Sequence, residues 1–495
     1  MTAAVFTVAV LFYLPALPVQ VRTGDTAEYQ TVPWILGIAH PTGFPFYTLA
    51  GWVWVHALTL NSVAWRMNAL SAVCTALTAG SVAWLALLLD TGLVASAAAA
   101  LTFALGSVVW HGAAFATPHS LSGLFIIVAM TACVAFARNG NVRALLLACG
   151  AAGLGLATQP ETIWVLPALL VAALWQRSRT SLRTLAAGLA LLLVPLLFYA
   201  YLPIRSTIVA AHHLDPNDVA PLYGVGGIDW DLNQTRTREG FLNEVLGRGA
   251  NAGPAVARSL NLARVPIAIP LWLEHARAQY AAAFLILVAL GMVALAMRDR
   301  RALSVIVAGS AGGLLFTFAY RSDVELYRYF LVISAAGAAV AAAVVRFPLP
   351  RVSPALVARL AAFALVCCAV DAWYENRGTI AETSYGGAQN VIDAVRRDTP
   401  DNAIVVAAWY DATTLGYGQN VEGVLGDRLI VKAAPGEYAD AYQRWARVRP
   451  VIVYANRSTS QSAAGVVAPN PVRELPSSLP YYRIFEIRPN AAPEP

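Results

Sequence analysis

The sequence predicts a mainly α, polytopic membrane protein that ends in a small extracytoplasmic α/β domain, and three observations carry that prediction. Of 495 residues, 58% are hydrophobic and only 13% are charged, whereas a soluble domain is nearer a quarter charged because its surface must be solvated. Long apolar runs recur, each at or near the roughly 20 residues that cross the hydrocarbon core as a helix. From about residue 375 the composition turns polar and breaks into short runs, as a water-soluble part would.

The apolar segments run roughly 3–20, 66–89, 92–115, 119–137, 142–158, 160–176, 184–204, 278–297, 302–320, 326–346 and 355–374, which makes about eleven spans. The first lacks a positive n-region and a small-residue cleavage site, so it reads as a retained helix rather than a removed signal. The pair at 142–176 is short and meets at Gln159-Pro160-Glu161, a tight hairpin or a partly re-entrant turn. Arginines mark alternate connections: Arg138 and Arg143; Arg177, Arg179 and Arg183; Arg298, Arg300 and Arg301; Arg346, Arg351 and Arg359. With an odd number of spans these clusters share one side, and the positive-inside rule makes that side cytoplasmic. The N-terminus is then inside, and the expected setting is a bacterial plasma membrane.

Three stretches stand outside: a first loop at about 21–65, a large loop at about 205–277, and the tail. The expected division is therefore 1–374 for the membrane domain and 375–495 for the extracytoplasmic one. The first loop is rich in aromatics (Trp34, Phe44, Phe46, Tyr47, Trp52, Trp54), which suit helices lying at headgroup level. In the large loop, Phe241 to Arg248 reads as an amphipathic helix. The tail alternates strand-like runs, Ala403–Ala408, Leu429–Lys432 and Val451–Tyr454, with helical stretches Gly387–Arg397 and Tyr438–Val448. Such alternation favours a mostly parallel sheet, to which Tyr482–Arg488 would add an edge strand.

Several classes of function fit poorly. The formal charge of +6 comes almost wholly from arginines, Lys432 being the only lysine. Their clusters between apolar runs serve topology, which argues against nucleic acid as a partner. All five cysteines lie in apolar segments, so no disulfide framework is implied outside the membrane. No Cys/His cluster has metal-ligand spacing. A membrane transporter or lipid flippase is the alternative class, but the sequence shows no internal repeat, and its spans are nearly free of acids. A binding module on a membrane anchor would leave the first loop unexplained.

That loop holds the residues most suited to chemistry. Asp25 and Glu28 stand three apart just past the first span, a spacing that puts both on one face of a helix. Two interpretations stay open: interfacial acids at a helix N-terminus, or a carboxylate at the membrane surface that deprotonates an acceptor hydroxyl. Glu28 then either orients Asp25 or pairs with Arg22 or Arg66.

The stretch Asp25-x-x-Glu28 followed by Leu36-Gly37-Ile38-Ala39-His40-Pro41-Thr42-Gly43-Phe44-Pro45-Phe46-Tyr47 resembles the signature of domain-of-unknown-function family 2723. That family includes the transmembrane protein 260 type of protein O-mannosyltransferase and belongs to the GT-C glycosyltransferases. Trp65-Arg66-Met67-Asn68-Ala69-Leu70 is similar to the family's second-span start, and Tyr201-Leu202-Pro203-Ile204-Arg205-Ser206 to the end of a later span. Asp229-Trp230, Arg328-Tyr329-Phe330-Leu331 and Trp409-Tyr410-Asp411-Ala412-Thr413 have family-like counterparts too. The resemblance implies a GT-C fold and transfer of a sugar, mannose in the eukaryotic branch, from a polyprenyl-phosphate carrier to an acceptor on protein or glycan at the outer face.

It further implies that Asp25 is the catalytic acid, with Glu28 beside it. Arginine's planar fork pairs with phosphate oxygens, so Arg205 and Arg328 are candidates for the donor phosphate, or else snorkel to the interface. His40, Tyr47, Arg66 and Trp230 complete the expected substrate-binding set, each weighed against a packing role. A metal stays open: Asp25 and Glu28 suffice to hold a divalent ion, while base catalysis requires none. The chain departs from the family at Ala116-Thr117-Pro118-His119, where relatives carry Ala-Glu-Val-Tyr. It departs again at Thr158-Gln159-Pro160-Glu161, where relatives often carry a histidine.

Overall fold

The computed structural model describes residues 1–219, 227–247, 263, 265–319, 326–378, 387–433, 439–456, 467 and 470–489. It contains two compact units. One comprises Met1–Leu17, Asn68–Tyr199 and Ala252–Ser384; the other comprises Pro18–Met67, Ala200–Asn251 and Tyr385–Pro495. The expected parts 1–374 and 375–495 follow chain order, whereas these units follow contacts, and the second takes residues from both parts.

Every apolar stretch expected to span is helical. Among the described residues six helices are long and apolar enough to cross a membrane: Val63–Leu88, Pro118–Asn139, Leu182–Ala211, Arg300–Phe318, Arg328–Arg346 and Pro354–Asn376. Two bent pairs, Leu93–Leu105 with Ser107–Ala113 (66°) and Val265–Gln279 with Ala282–Arg298 (102°), raise the number to 8 if each counts as one span. Thr2–Ala16, Val142–Thr158 and Pro160–Trp175 are apolar but shorter. In the Leu182–Ala211 helix, Leu182, Leu185, Leu189, Leu193 and Leu197 are exposed, a stripe that a lipid tail would cover.

The 66° bend shows how apolar surroundings tolerate a broken helix. At the break, Gln279 Nε2 donates to the Phe103 carbonyl (2.9 Å), and its Oε1 accepts from the Val109 N–H (2.9 Å). Backbone groups freed by the bend thus find a side-chain partner, which the absence of water demands. Glycine is required there, because a Cβ at Gly106 would lie 2.2 Å from the Gln279 amide nitrogen.

One end of this helical unit holds a network of arginines and aspartates. Arg138 bonds Asp90 (2.5 Å) and Asp299 (2.8 Å), while Arg346 bonds the Leu89 carbonyl (2.9 Å) and reaches Asp90 (3.4 Å). Gln176 donates to the Ala137 carbonyl (2.9 Å). The connections after Leu88, Asn139, Trp175 and Arg298, with Arg346, therefore lie at the same end.

In the other unit the C-terminal chain forms a five-stranded sheet of order β2-β1-β3-β5-β4. The strands are β1 Ile404–Ala407, β2 Leu429–Lys432, β3 Val451–Asn456, β4 Val472–Leu475 and β5 Tyr482–Ile487. β2, β1 and β3 are parallel, and β5 and β4 are antiparallel additions. The parallel core agrees with the strand–helix alternation of the sequence. The last strand does not form the edge, however: β5 lies inside, and the short, charged Val-Arg-Glu-Leu of β4 takes the edge, where charge discourages further pairing. The helices Gly387–Asp398 and Ala439–Ala446 appear as expected, with Tyr438 outside the described residues. Trp409–Asn420 is an additional helix; its two glycines and weak apolar periodicity had hidden it. In the large loop the helix runs Arg238–Val245, and Arg248 lies outside the described residues.

Candidate active site

Asp25 opens the helix Asp25–Ile35, preceded by Gly24 at φ +62°. A carboxylate in a first turn is favoured by the exposed N–H groups there. Gly24 has a second reason to be glycine. Its N–H donates to the Tyr410 carbonyl (3.2 Å), and a Cβ would stand 2.6 Å from the Tyr410 ring. That approach brings in the Trp409 helix, whose first residue donates its indole N–H to Asp25 Oδ1 (2.8 Å). Asp25 is half-buried and so remains reachable.

Glu28, one turn along, is 1% exposed. Its Oε1 accepts the backbone N–H of His40 (2.7 Å), and its Oε2 pairs with His40 Nδ1. The partners expected from sequence, Arg22 and Arg66, are not those that the carboxylate takes: the His-Pro turn folds back so that His40 fills both oxygens. Burial works against an imidazolium, but the charge and hydrogen bond of Glu28, with Asp25 and Glu244 nearby, outweigh it and hold His40 up at about 9. The Glu28 contact thus favours the imidazolium form of His40. The His40 ring meets those of Trp409 (5.6 Å, edge-on), Phe44 (5.5 Å) and Tyr29 (5.6 Å).

Two further carboxyls lie underneath. Glu244, fully buried, accepts from Asn233 Nδ2 (2.5 Å) and is pushed up to about 8 by burial. Asp229 is 1% exposed, both its oxygens lack a hydrogen-bond partner among the described residues, and burial beside Glu28 and Asp215 holds it well above the usual carboxylate range. Burial of a carboxyl disfavours its charged form, so burial favours the protonated form of both, with His40 and Asn233 opposing it at Glu244.

Three residues expected to meet substrate are engaged inside the protein. Arg205 Nε and one terminal nitrogen donate to the Leu36 (2.5 Å) and Ile35 (3.0 Å) carbonyls, capping the Asp25 helix, and its guanidinium lies 6.0 Å from the Trp230 ring centre. Arg66 clamps the Leu60, Val55 and Asn61 carbonyls at 2.9–3.1 Å. Tyr47 is buried and donates to the Tyr29 carbonyl (3.4 Å). Helix-end and loop carbonyls lack intrahelical partners, which is why arginines near them fold inward. Trp230 is half-buried, with its indole N–H on Asn420 Oδ1 (3.3 Å).

Arg328 belongs to the helical unit. With His119, Thr75, Thr117 and Ser120 it lines a small cavity of about 20 Å³, walled by Val108, Val109 and Leu331. His119 Nδ1 lies 3.2 Å from Glu161 Oε1, Ser122 donates to the same oxygen (2.8 Å), and Gln159 Nε2 stands 3.2 Å from His119 Nε2. His119 and the Gln159–Glu161 turn are therefore in contact with each other. This cluster sits at the end of the helical unit opposite the arginines, since His119 begins the helix that Asn139 ends.

Sequence reasoning missed Trp409, Lys432, Glu244 and Asp229 as members of the site. Trp409 and Asp229 carried a signal as members of the family-like stretches, and Lys432 as the lone lysine in an arginine-rich chain; Glu244 carried none. Among the described residues, no three of His, Cys, Asp and Glu converge as metal ligands.

The fold is that of the GT-C membrane glycosyltransferases. Across 98% of this chain and 97% of the other it superposes on ArnT from Cupriavidus metallidurans bound to undecaprenyl phosphate, with a TM-score of 0.60 at 13% identity. The oligosaccharyltransferase of Archaeoglobus fulgidus, tethered with an acceptor peptide, matches over 96% of this chain and 74% of its own, with a TM-score of 0.53 at 12% identity. Residues 25–182 match the family model for the N-terminal domain of protein O-mannosyl-transferase TMEM260. The mouse protein O-mannosyl-transferase TMEM260 is 29% identical over 212 residues, 41% of this chain and 30% of its own length. The resemblance carried by residues 24–70 stands, and the matched stretch spans less than a third of that mouse relative.

Proposed function

We propose that the protein is a membrane glycosyltransferase that moves a sugar, mannose by analogy with its O-mannosyltransferase relative, from a polyprenyl-phosphate carrier to an acceptor hydroxyl on protein. The observation that carries this is the placement of Asp25: reachable, oriented by the Trp409 indole, and 'next to' the His40 cation that Glu28 secures. In the reaction, the acceptor oxygen bonds to the anomeric carbon as the bond from that carbon to the phosphate oxygen breaks. Its proton goes to Asp25, and the departing electron pair stays on the polyprenyl phosphate. A cation near that developing charge favours its departure. Glu28, with both oxygens on His40, holds that cation in place. Arg328 beside the cavity of the helical unit is the remaining arginine candidate for the lipid phosphate. A transporter would leave the Asp25–Trp409 contact without a purpose.

The arginines gathered at one end of the helical unit support a cytoplasmic assignment for that end. The eleven-span arrangement in a bacterial plasma membrane, with the N-terminus inside and the tail outside, is part of the same proposal.

The test is sugar transfer by purified protein supplied with polyprenyl-phosphate sugars and a membrane extract, comparing wild type with Asp25→Asn. Transfer by the wild type and a loss of at least about 10²-fold in a folded Asp25→Asn protein is expected. Equal transfer by both would exclude Asp25 as the base.

A further inference from the structure

We infer that the C-terminal sheet completes the active centre, with Trp409 positioning the Asp25 carboxylate and Lys432 supplying a cation for the phosphate of the lipid-linked donor. The inference rests on the transferase reading and extends it to residues that no sequence motif assigned to substrate.

The topology explains why these two residues meet. In an open parallel sheet, ligands bind beyond the carboxyl ends of the strands, where the strand order reverses. Here β1 lies between β2 and β3, so the chain leaves β1 toward one side and returns to the other. Trp409 follows the carboxyl end of β1 and begins the next helix. Lys432 closes β2, in register with Ala407 of β1. Both residues therefore emerge at the edge of the sheet where a ligand would be expected.

The side chains agree with this placement. Lys432 Nζ lies 5.0 Å from the centre of the Trp409 ring, within the range of a cation–π contact. That same ring meets His40 edge-on at 5.6 Å and gives its N–H to Asp25. Lys432 is exposed as a residue, although burial around its ammonium holds it below the usual lysine range against the opposing charge of Glu28; among the described residues the ammonium has no hydrogen bond or ion pair. Arg205 and Arg66, by contrast, are occupied by backbone carbonyls. A compact ammonium with three donors, stacked on the ring that holds the base, suits a phosphate that arrives and leaves with each turnover.

Two measurements on the full-length protein test the inference. The first is binding of undecaprenyl phosphate, undecaprenol and inorganic phosphate to wild type, Lys432→Met and Lys432→Arg. The expected result is a loss of about tenfold or more for undecaprenyl phosphate in Lys432→Met, near-wild-type binding in Lys432→Arg, and unchanged binding of undecaprenol. Unchanged binding of undecaprenyl phosphate in Lys432→Met, or an equal loss for undecaprenol, would overturn the phosphate assignment. Inorganic phosphate competing as strongly as the lipid would overturn the assignment to a lipid-linked donor. This measurement needs no turnover, so it remains decisive even if the Asp25 proposal fails.

The second measurement is transfer by Trp409→Phe, which keeps an aromatic ring but removes the five-membered ring that carries the N–H. Because a hydrogen bond to a carboxylate favours its charged form, its loss should move the acid limb of the kcat profile to higher pH. It should also lower kcat about tenfold or more with little change in KM. An unchanged kcat and acid limb in a protein whose Asp25→Asn variant is inactive would overturn the positioning role.

Discussion

His40 and Glu244 show how burial and charge act in opposite directions at neighbouring residues. The imidazole gains a proton because Glu28 outweighs the cost of burial; the Glu244 carboxyl keeps one because burial prevails. Both folded-state values, about 9 and about 8, lie above the ordinary ones of 6.5 and 4.5. At these two groups the folded protein therefore holds protons that the unfolded chain releases, and their contribution to stability falls as pH rises. The His40 contribution is complete below about 6.5 and is lost through about 9; that of Glu244 declines from about 4.5 and is gone above about 8. In Glu244→Gln, the unfolding midpoint should therefore depend less on pH between 5 and 8, by on the order of a few °C. Parallel curves for wild type and variant would mean that the folded protein does not hold this proton.

The short helix that carries Asp25 is held mainly at its ends. Leu36 ends it in the left-handed region at φ 53°, and Tyr201 Oη and Arg205 supply donors to the carbonyls that a helix end leaves unpaired. The chain then presses Gly37 against the Asp229 backbone, where a Cβ would come within 1.8 Å of the carbonyl oxygen. Arg205→Ala should therefore destabilise the protein by about 1–3 kcal/mol, the cost of leaving such acceptors unsatisfied. It should also reduce the rate of transfer more than the affinity for undecaprenyl phosphate. Thermal unfolding and lipid binding check this; a stable variant that has lost its lipid affinity would return Arg205 to the phosphate. Strand-level features were easier to read than helix ends, because β1, β2 and β3 announce themselves by apolar runs whereas the Trp409 helix does not.

At the scale of the whole molecule, the proposed sidedness rests on the arginines. The ion pairs of Asp90, Arg138, Asp299 and Arg346 gather at one end of the helical unit, and the His119–Glu161 cluster and Arg328 at the other. In a background with Cys74, Cys133, Cys149, Cys367 and Cys368 removed, single cysteines in the Arg298–Arg301 connection should react only from the cytoplasm. Those in β4 should react only from outside. Labelling from the same side would overturn the odd number of spans.

The sequence by itself determined the apolar helices, the arginine-marked ends, the parallel core of the tail and the prominence of Asp25. These depend on composition, period and local motif, which are properties of neighbouring residues. Only the tertiary structure decided that Glu28 belongs to His40, that Arg205 and Arg66 serve carbonyls, and that Trp409 and Lys432 stand at the site. Those outcomes depend on which donor reaches which acceptor across 384 residues of separation for Trp409 and Asp25. Long-range pairing is set by topology and burial, and no local pattern encodes it.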